Sequence, residues 1–247
     1  MPIPDFARHR LFLEPALTQG TRLPLEREPA NYLMSVLRMK QDDTVLVFNG
    51  RDGEWLAAIS VEGRKQASLT LVRQTRPQPA APDLHYLFAP LKHARLDYMA
   101  QKAVEMGAGV IQPVLTRRTQ VSRLNLDRMR ANAVEAAEQC GILTLPEIRA
   151  ERPLDAALEA LEPERLLVFC DEAMAQASPV AALAQAQPGP LAVLIGPEGG
   201  FDEGERQRIL ARPGTLPISL GPRILRADTA AVAALALVQA IRGDWPR

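Results

Sequence analysis

Two arginines, Arg223 and Arg226, follow an apolar run, LPISLG at 216–221, that is typical of a short buried strand. The arginine guanidinium is a fixed fork of hydrogen-bond donors that suits phosphate groups and the oxygens of nucleobases. Residues at strand ends are often placed in binding loops. The pair is therefore a candidate for binding an anion or a base, and surface salt bridging is the alternative.

A glycine-rich segment, Gly196–Gly200, follows a second apolar run, LAVLIG at 191–196. Gly199 and Gly200 let the backbone adopt positive φ and approach a ligand closely. No Gly-Lys-Ser/Thr follows, so this is not a Walker A loop, and the GxGxxG of a dinucleotide fold is absent. The segment is either a ligand-binding loop or a plain turn before a capped helix.

Parallel sheets bind ligands at the carboxyl ends of their strands. A third strand end of this kind carries Cys170, Asp171 and Glu172 after the apolar run at 166–170. If the three runs pair in one parallel sheet, their following loops meet at one edge. The three strand ends are therefore candidate ligand-binding positions.

Cysteine and histidine usage bounds the chemistry and the compartment. Cys140 and Cys170 fit neither a disulfide framework nor a CxxC metal motif, and this usage predicts a reducing, cytoplasmic environment. His9, His85 and His93 lack metal-ligand spacing, so no metal is expected. No apolar run approaches the length of a membrane span, so no membrane association is expected.

The first third of the chain is predicted to be rich in β-structure. Strand-like runs lie at 44–50, 54–61 and 67–72, and the first two are joined by Asn-Gly and Asp-Gly turn chemistry. Pro29 opens a predicted helix over 29–38. These elements indicate a small barrel or sandwich, which the proline-rich linker 76–82 separates from the rest.

From residue 84 onward, strands alternate with helices, which is typical of a parallel sheet covered on both faces. Pro113 predicts that its strand lies at an edge or ends there, and helical periodicity predicts that Cys140 points inward. Asp202 with Glu205 predicts a capping box. Asp228 is expected to cap the last helix. The predicted strands are 84–91, 110–115, 166–170, 191–196 and 216–221, and the predicted helices are 92–107, 126–140, 179–186, 203–211 and 229–242.

Charge is distributed unevenly in a chain whose 29 basic and 29 acidic residues cancel. Residues 91–130 carry 8 Lys+Arg against 3 Asp+Glu, a net of +5, whereas residues 131–172 carry 3 against 10, a net of −7. The basic block permits a local anionic partner. The overall balance disfavours uniform, non-specific nucleic-acid binding.

Several segments together resemble the RsmE family of the SPOUT class, the 16S rRNA uridine N3-methyltransferases. The most specific are LIGPEGGFDEGE at 194–205 and SLGPRILRADTA at 219–230. NYLMSVLRM at 31–39 is similar to the family's N-terminal RNA-binding segment, and residues 97–120 and 136–148 are similar to its first helix-and-strand stretches. Five matching segments in the family's order make the resemblance specific.

The resemblance implies an α/β fold. It implies a PUA-like RNA-binding β-barrel over residues 1–75, followed by a trefoil-knotted parallel-sheet SPOUT domain over residues 83–247. It also implies S-adenosylmethionine as cofactor and a homodimer as the working form. The apolar helix 229–241 is a candidate dimer element, with burial against its own sheet as the alternative.

The implied activity is methylation of N3 of a uridine in 16S rRNA of the small ribosomal subunit, at the site conventionally numbered 1498. Two alternatives stay open. In the first, the chain is another SPOUT RNA methyltransferase with a different target, such as a ribose 2′-OH or a tRNA guanine. In the second, the chain is a non-catalytic protein that binds RNA as a ribosome assembly factor.

The resemblance also implies residue roles. Arg226 is the candidate cation that stabilises charge on the uracil, and Glu138 is a weaker candidate for a base or an RNA contact. The residues implied to hold the cofactor, largely through backbone groups, are Leu194, Ile195, Gly196, Pro197, Glu198, Gly199, Gly200, Leu220, Gly221, Pro222, Ile224, Leu225 and Arg226. The implied RNA contacts are Arg38, Arg117, Arg118, Arg123 and Arg223.

Three positions depart from the family pattern. Tyr32 stands where the family usually has histidine, and Ser35 stands where it usually has arginine. Asp228 replaces the glutamate that usually follows the arginine loop, which shortens the carboxylate by one methylene. A role for Asp228 beyond helix capping is therefore not implied.

Overall fold

A computed structural model describes residues 9–63, 66–92, 94–120, 123–174 and 178–245. The chain divides into two compact units. The first unit comprises Met1–Ala80 together with Val134–Leu145, and the second comprises Ala81–Ala133 together with Pro146–Arg247. The proline-rich segment 76–82 spans the first junction between them. The predicted domain limits at residues 75 and 83 stay predictions.

The first unit is built on a five-stranded sheet with the strand order β1-β3-β4-β5-β2. The hairpin predicted from its turn residues is confirmed, because β3 and β4 pair antiparallel from Thr44–Ala58 to Phe48–Glu54. Two short strands, β1 and β2, were not predicted, since three residues carry too little periodicity. The strands are β1 (Arg10–Phe12), β2 (Arg22–Pro24), β3 (Thr44–Phe48), β4 (Glu54–Gly63) and β5 (Gln66–Arg76).

The helix predicted over 29–38 begins earlier and is irregular. Helix α1 spans Arg27–Asn31 and continues directly into a π-helical turn over Tyr32–Val36. Leu33 is fully buried in this turn and packs into an apolar core that the sheet and the helix share. The core residues include Leu11, Leu23, Ala30, Val45, Val47, Ile59, Leu69 and Leu71.

A distant segment, Val134–Leu145, belongs to the first unit. Two side chains from the end of the β-rich region bind its backbone: Arg76 Nη2 donates to the Gly141 carbonyl at 3.0 Å, and Gln78 Nε2 donates to the Leu143 carbonyl at 3.2 Å. Gly141 ends the preceding helix with φ +65°, as the sequence predicts. Sequence periodicity does not contain such long-range bonds, so the membership of this segment was not predicted.

The second unit contains a seven-stranded sheet in which all pairs are parallel. Its order is β12-β10-β11-β6-β7-β8, and β9 also pairs with β7. The alternation of strands and helices therefore predicts the sheet type correctly. The strands are β6 (Leu84–Phe88), β7 (Val110–Leu115), β8 (Glu147–Ile148), β9 (Arg152–Pro153), β10 (Leu166–Cys170), β11 (Leu191–Ile195) and β12 (Thr215–Ile218).

Both faces of this sheet are covered, since every residue of β6 and of β11 is buried. On one face Leu87, Phe169 and Leu194 pack with Ile209 in a single apolar cluster. The helices are α2 (Ala94–Glu105), α3 (Leu126–Cys140), α4 (Leu154–Glu159), α5 (Pro179–Gln185), α6 (Glu203–Ala211) and α7 (Ala227–Ile241). No helix among the described residues has the length and apolar character needed to cross a bilayer.

The strand with Pro113 is wrongly predicted as an edge or a strand end. Strand β7 is interior, and Pro113 pairs with Phe88, the last residue of β6. On its other side β7 pairs with β8 through Val110 and Ile111 and with β9 from Val114 onward. Proline lacks an amide proton, and it occupies the position where the partner strand changes.

Two further predictions about helices are wrong. Cys140 is exposed, because it is the last residue of α3 and the chain turns away at the following residue. Asp228 is not the cap of α7, since the helix begins at Ala227 and Arg226 occupies the N-cap with extended backbone. Asp228 lies in the first turn, where a carboxylate still favours the helix dipole.

Candidate functional site

The carboxyl ends of β10, β11 and β12 lie side by side, because these strands are adjacent and parallel. The loops that follow them enclose a cavity of about 280 Å³. These are the three strand ends that the sequence singles out as candidate ligand-binding positions. The cavity is lined by Phe169–Ala173 after β10, by Ile195–Glu198, Gly200, Phe201, Glu203 and Arg206 after β11, and by Ile218–Leu225, Ala227 and Ala230 after β12.

The glycines of the second loop fit closely packed positions. Gly200 has φ +69°, and a Cβ there would lie 2.3 Å from Glu172 Oε1. A Cβ on Gly196 would lie 2.6 Å from the ring of Phe201. The Gly200 amide donates to the Pro197 carbonyl at 2.9 Å, which closes the turn. Side chains at these two positions would displace Glu172 and Phe201 in the cavity wall, and Gly200 also needs a positive φ, so glycine is favoured at both.

Ten of the thirteen residues implied to hold the cofactor line this cavity. The three that do not are Leu194, whose side chain is in the apolar core, Gly199, and Arg226. Arg226 is exposed at the rim, between two lining residues, Leu225 and Ala227. The lining residues from the implied set are Ile195, Gly196, Pro197, Glu198, Gly200, Leu220, Gly221, Pro222, Ile224 and Leu225.

The third loop points side chains outward. Arg223 and Arg226 are both exposed, and the side chain of Ile224 between them is 94% exposed. The arginines make no ion pair within the part of the chain that the structure describes. Surface salt bridging, the alternative considered from sequence, is therefore not how these two arginines are arranged.

The first loop is fixed by a buried ion pair that sequence analysis did not predict. Asp171 is 4% exposed, and its carboxylate binds the guanidinium of Arg206 from α6. The hydrogen bond to Asp171 raises the pKa of Arg206. Both side chains line the cavity, and the pair joins two of its walls. The two residues are 35 positions apart, so no local pattern relates them.

The thiol of Cys170, next to Asp171, is unreactive. Cys170 lines the cavity, and burial raises the pKa of its thiol to about 12. The thiol is therefore protonated at neutral pH, and nucleophilic chemistry requires the thiolate.

A second unpredicted residue, Arg95 at the start of α2, lies beside the cavity. Its Nη1 is 3.7 Å from Glu198 Oε1, and its Nε is 4.0 Å from Asp228 Oδ2. The guanidinium thus lies between the glycine loop and the first turn of α7. Asp228 Oδ1 also accepts a hydrogen bond from the Thr229 backbone amide at 2.8 Å, so this carboxylate binds the backbone of its own helix turn.

Glu138, the weaker catalytic candidate, belongs to the first unit. Its Oε1 accepts the backbone amide of Phe12 at 2.8 Å. Burial raises the pKa of its carboxyl, the Phe12 hydrogen bond opposes that change, and Glu135 adds to it. A carboxyl with a raised pKa can hold or release a proton nearer neutral pH than an ordinary glutamate.

The arginines implied to contact RNA are exposed but not equivalent. Arg38 in the first unit follows the π-helical turn in a left-handed conformation, with φ +56°. In the second unit, Arg117 Nε lies 3.0 Å from Asp202 Oδ2, and Arg118 Nη1 donates to the Gly199 carbonyl at 2.5 Å. Arg123 forms no ion pair with any described residue.

Metal ligation has no candidate among the described residues, where no three or more His, Cys, Asp or Glu side chains gather. His9 is exposed and His85 is buried. His93 lies outside the described residues.

Comparison with protein families gives two matches. The model of an RNA methyltransferase domain matches residues 78–239, and the model of an RNA methyltransferase PUA domain matches residues 25–72. Relatives named ribosomal RNA small subunit methyltransferase E match almost the whole chain. The Rickettsia conorii protein is 29% identical over 94% of this chain and 95% of its own length. The Synechocystis protein is 31% identical over 94% of this chain and 78% of its own length.

Solved structures agree with the fold. Ribosomal RNA small subunit methyltransferase E from Neisseria gonorrhoeae, bound to S-adenosylmethionine, has a TM-score of 0.85 at 26% identity, over 97% of this chain and 100% of that chain. A Legionella pneumophila protein solved with bound S-adenosylmethionine has a TM-score of 0.83 at 30% identity. It covers 96% of this chain and 99% of that one.

Proposed function

The chain belongs to the ribosomal RNA small subunit methyltransferase E family of RNA methyltransferases, and we propose from this premise that it methylates N3 of one uridine in 16S rRNA. S-adenosylmethionine is the methyl donor, and the small ribosomal subunit carries the substrate. The observation that carries the proposal is the cavity at the carboxyl ends of β10, β11 and β12. Its walls contain residues of the two most specific segments of the family resemblance, 194–205 and 219–230.

The residues of the cavity suit the cofactor. Apolar residues of the cavity lining that are only partly buried, among them Phe201, Leu220 and Leu225, offer an apolar surface for an adenine ring. Four acidic residues and two arginines line the cavity, so its charge balance favours a cation. The acidic residues are Asp171, Glu172, Glu198 and Glu203, and the arginines are Arg206 and Arg223. The thirteen residues named from the family resemblance stay proposed cofactor contacts.

The reaction joins a uridine nitrogen to an electrophilic methyl group, which the sulfonium of the bound cofactor supplies. Uridine N3 carries a proton at neutral pH, so negative charge develops on the uracil as that proton leaves. Arg226 at the cavity rim stabilises this charge at O2 or O4, and the loops position the base for in-line attack. Glu138 is the proposed base or RNA contact, and its raised pKa supports proton transfer.

RNA recognition is shared between the two units in this proposal. The PUA domain and Arg38 bind one part of the rRNA, while Arg117, Arg118, Arg123 and Arg223 bind its backbone near the cavity. The proposed domains are residues 1–75 for the RNA-binding barrel and 83–247 for the knotted SPOUT domain. The proposed working form is a cytoplasmic homodimer.

The dimer proposal has a direct test in the mass of the protein in solution, measured by sedimentation or light scattering. The apolar helix α7 does not by itself argue for a dimer. It buries Ala231, Leu235 and Val238 and contacts β11 of its own sheet.

Labelled S-adenosylmethionine and small ribosomal subunits that lack the modification test the proposed function. The protein is expected to transfer the label, and nucleoside analysis of the product is expected to give N3-methyluridine. A different methylated nucleoside would assign the chain to another SPOUT activity. Cofactor binding without transfer to either naked 16S rRNA or subunits would favour the non-catalytic assembly factor.

A further inference from the structure

The segment that follows β7 forms a tight turn, Thr116–Thr119, which we call the arginine turn because it carries Arg117 and Arg118. The Thr116 amide donates to Thr119 Oγ1 at 2.9 Å, and the Thr119 amide donates to the Thr116 carbonyl at 3.1 Å. The turn therefore has a fixed backbone, and it presents two exposed guanidiniums from a defined position.

The arginine turn is fastened to the start of α6 through Glu205, which is only 3% exposed. Glu205 Oε1 accepts the backbone amide of Arg117 at 2.8 Å, and Oε2 accepts the backbone amide of Asp202 at 3.1 Å. One buried carboxylate thus joins two segments that are 88 residues apart in the chain. The Arg117 side chain adds its 3.0 Å contact with Asp202.

Arg118 reaches from this fixed turn to the glycine loop. Its Nη1 donates to the Gly199 carbonyl at 2.5 Å, and its Cδ lies 3.4 Å from the position of a Cβ on Gly199. The side chain therefore lies over the glycine loop beside Gly200, whose backbone lines the cavity. A guanidinium has five N–H donors, and the exposed side chain keeps others available to solvent.

We propose that Arg118 is a positioning residue for the cofactor, which holds the Gly199 carbonyl and couples RNA binding to the shape of the glycine loop. The inference rests on the proposed function. In the absence of RNA, Arg118 orders the loop through one hydrogen bond. When an RNA phosphate binds its remaining donors, the guanidinium is held in place and the loop is ordered further. Cofactor and RNA therefore bind with positive, reciprocal coupling.

The experiment measures the dissociation constant of S-adenosylmethionine for the full chain by calorimetry, first without RNA. Arg118→Ala is expected to bind about fivefold more weakly, the order expected for one lost hydrogen bond. Arg118→Lys keeps a donor and is expected to recover part of the affinity. Arg130→Ala, an exposed arginine paired with Asp127, controls for the loss of charge.

The second measurement repeats the titration with small ribosomal subunits that lack the modification. The wild type is expected to bind the cofactor more tightly with the subunit than without it, and Arg118→Ala is expected to lose this gain. Equal RNA-free affinity of Arg118→Ala and the wild type would overturn the inference, as would an equal loss in Arg130→Ala. A wild-type chain that binds no cofactor would overturn the proposed function itself, which separates the two failures.

Discussion

The carboxylate of Asp171 is held by two nitrogens of Arg206, with Nε 3.0 Å and Nη2 2.8 Å from Oδ2. Asp171 begins the loop after β10, and Arg206 lies on α6 beyond the glycine loop. The Asp171 Oδ1 also accepts the Ala173 amide at 3.1 Å. The pair thus joins two walls of the cavity, with the Asp171 side chain 3% exposed and the Arg206 side chain 25% exposed.

Loss of the Asp171 carboxylate is expected to weaken both the fold and cofactor binding. Asp171→Ala removes the buried partner of Arg206 and should lower the free energy of unfolding by about 3 kcal/mol. Asp155→Ala is the matched control, because Asp155 pairs with Arg208 at the surface, and its cost should stay below about 1 kcal/mol. Urea unfolding and cofactor titration measure the two effects. Equal stability losses in the two variants would contradict the structural role of the Asp171 pair.

Gly200→Ala is expected to abolish high-affinity cofactor binding. The residue has φ +69°, and the added methyl would contact Glu172 Oε1 inside the cavity wall. The methyl strains the left-handed backbone at this position and displaces the Glu172 carboxylate, and both residues line the cavity. Gly63→Ala is the control, since Gly63 has ordinary φ and its nearest neighbour would lie at 3.8 Å. Calorimetric titration is decisive, and unchanged cofactor affinity in Gly200→Ala would remove the glycine loop from the site.

The raised pKa of the Glu138 carboxyl leads us to expect that the stability of the protein depends on pH. Burial raises its pKa above the ordinary value of 4.5, so the group favours the folded state at low pH. That stability is lost as pH rises from about 4.5 through the raised pKa. Glu138→Gln keeps an acceptor for the Phe12 amide and removes the charge. Its thermal midpoint should exceed that of the wild type at neutral pH and vary less with pH.

Thermal unfolding of both proteins across this pH range provides the measurement. Glu14→Gln, an exposed site in the same unit, is the control and should leave the wild-type pH profile in place. Parallel profiles for Glu138→Gln and the wild type would show that this carboxyl does not titrate differently on folding.

RNA binding is expected to depend steeply on salt. Each arginine that neutralises a phosphate contributes about −0.7 to the slope of log affinity against log salt concentration on single strands. Arg123→Ala should therefore make the slope shallower by about that amount. Arg208→Ala, whose partner is Asp155, should leave it unchanged. Filter binding over a salt series gives the slopes, and a flat response of the wild type would contradict the role of the basic block.

Local patterns predicted local structure well. The capping box of Asp202 and Glu205 is present as expected, because both of its hydrogen bonds lie within four residues of sequence. The parallel sheet followed from continuous apolar runs that alternate with helices. The three strand ends whose loops line the cavity could be singled out from the sequence, because ligands bind at the carboxyl ends of parallel strands.

What sequence could not predict depends on distant contacts. The Asp171–Arg206 pair, the Arg118–Gly199 bond and the attachment of Val134–Leu145 to the first unit all join residues far apart in the chain. Helical periodicity wrongly predicted that Cys140 points inward, because periodicity does not show where along a helix the packing against the core ends. Pro113 wrongly predicted an edge strand or a strand end, because whether a sheet accommodates a proline depends on the pairing of the neighbouring strands, which the sequence does not show.

The most direct test of the account is the single-turnover rate of methyl transfer to unmodified small subunits by the wild type and by Arg226→Ala, with both substrates saturating. The account predicts N3-methyluridine as the wild-type product, and the same product about 100-fold more slowly in the variant, the usual loss for one electrostatic donor. A wild type that leaves uridine N3 unmodified, or a variant that keeps the full rate, would contradict it.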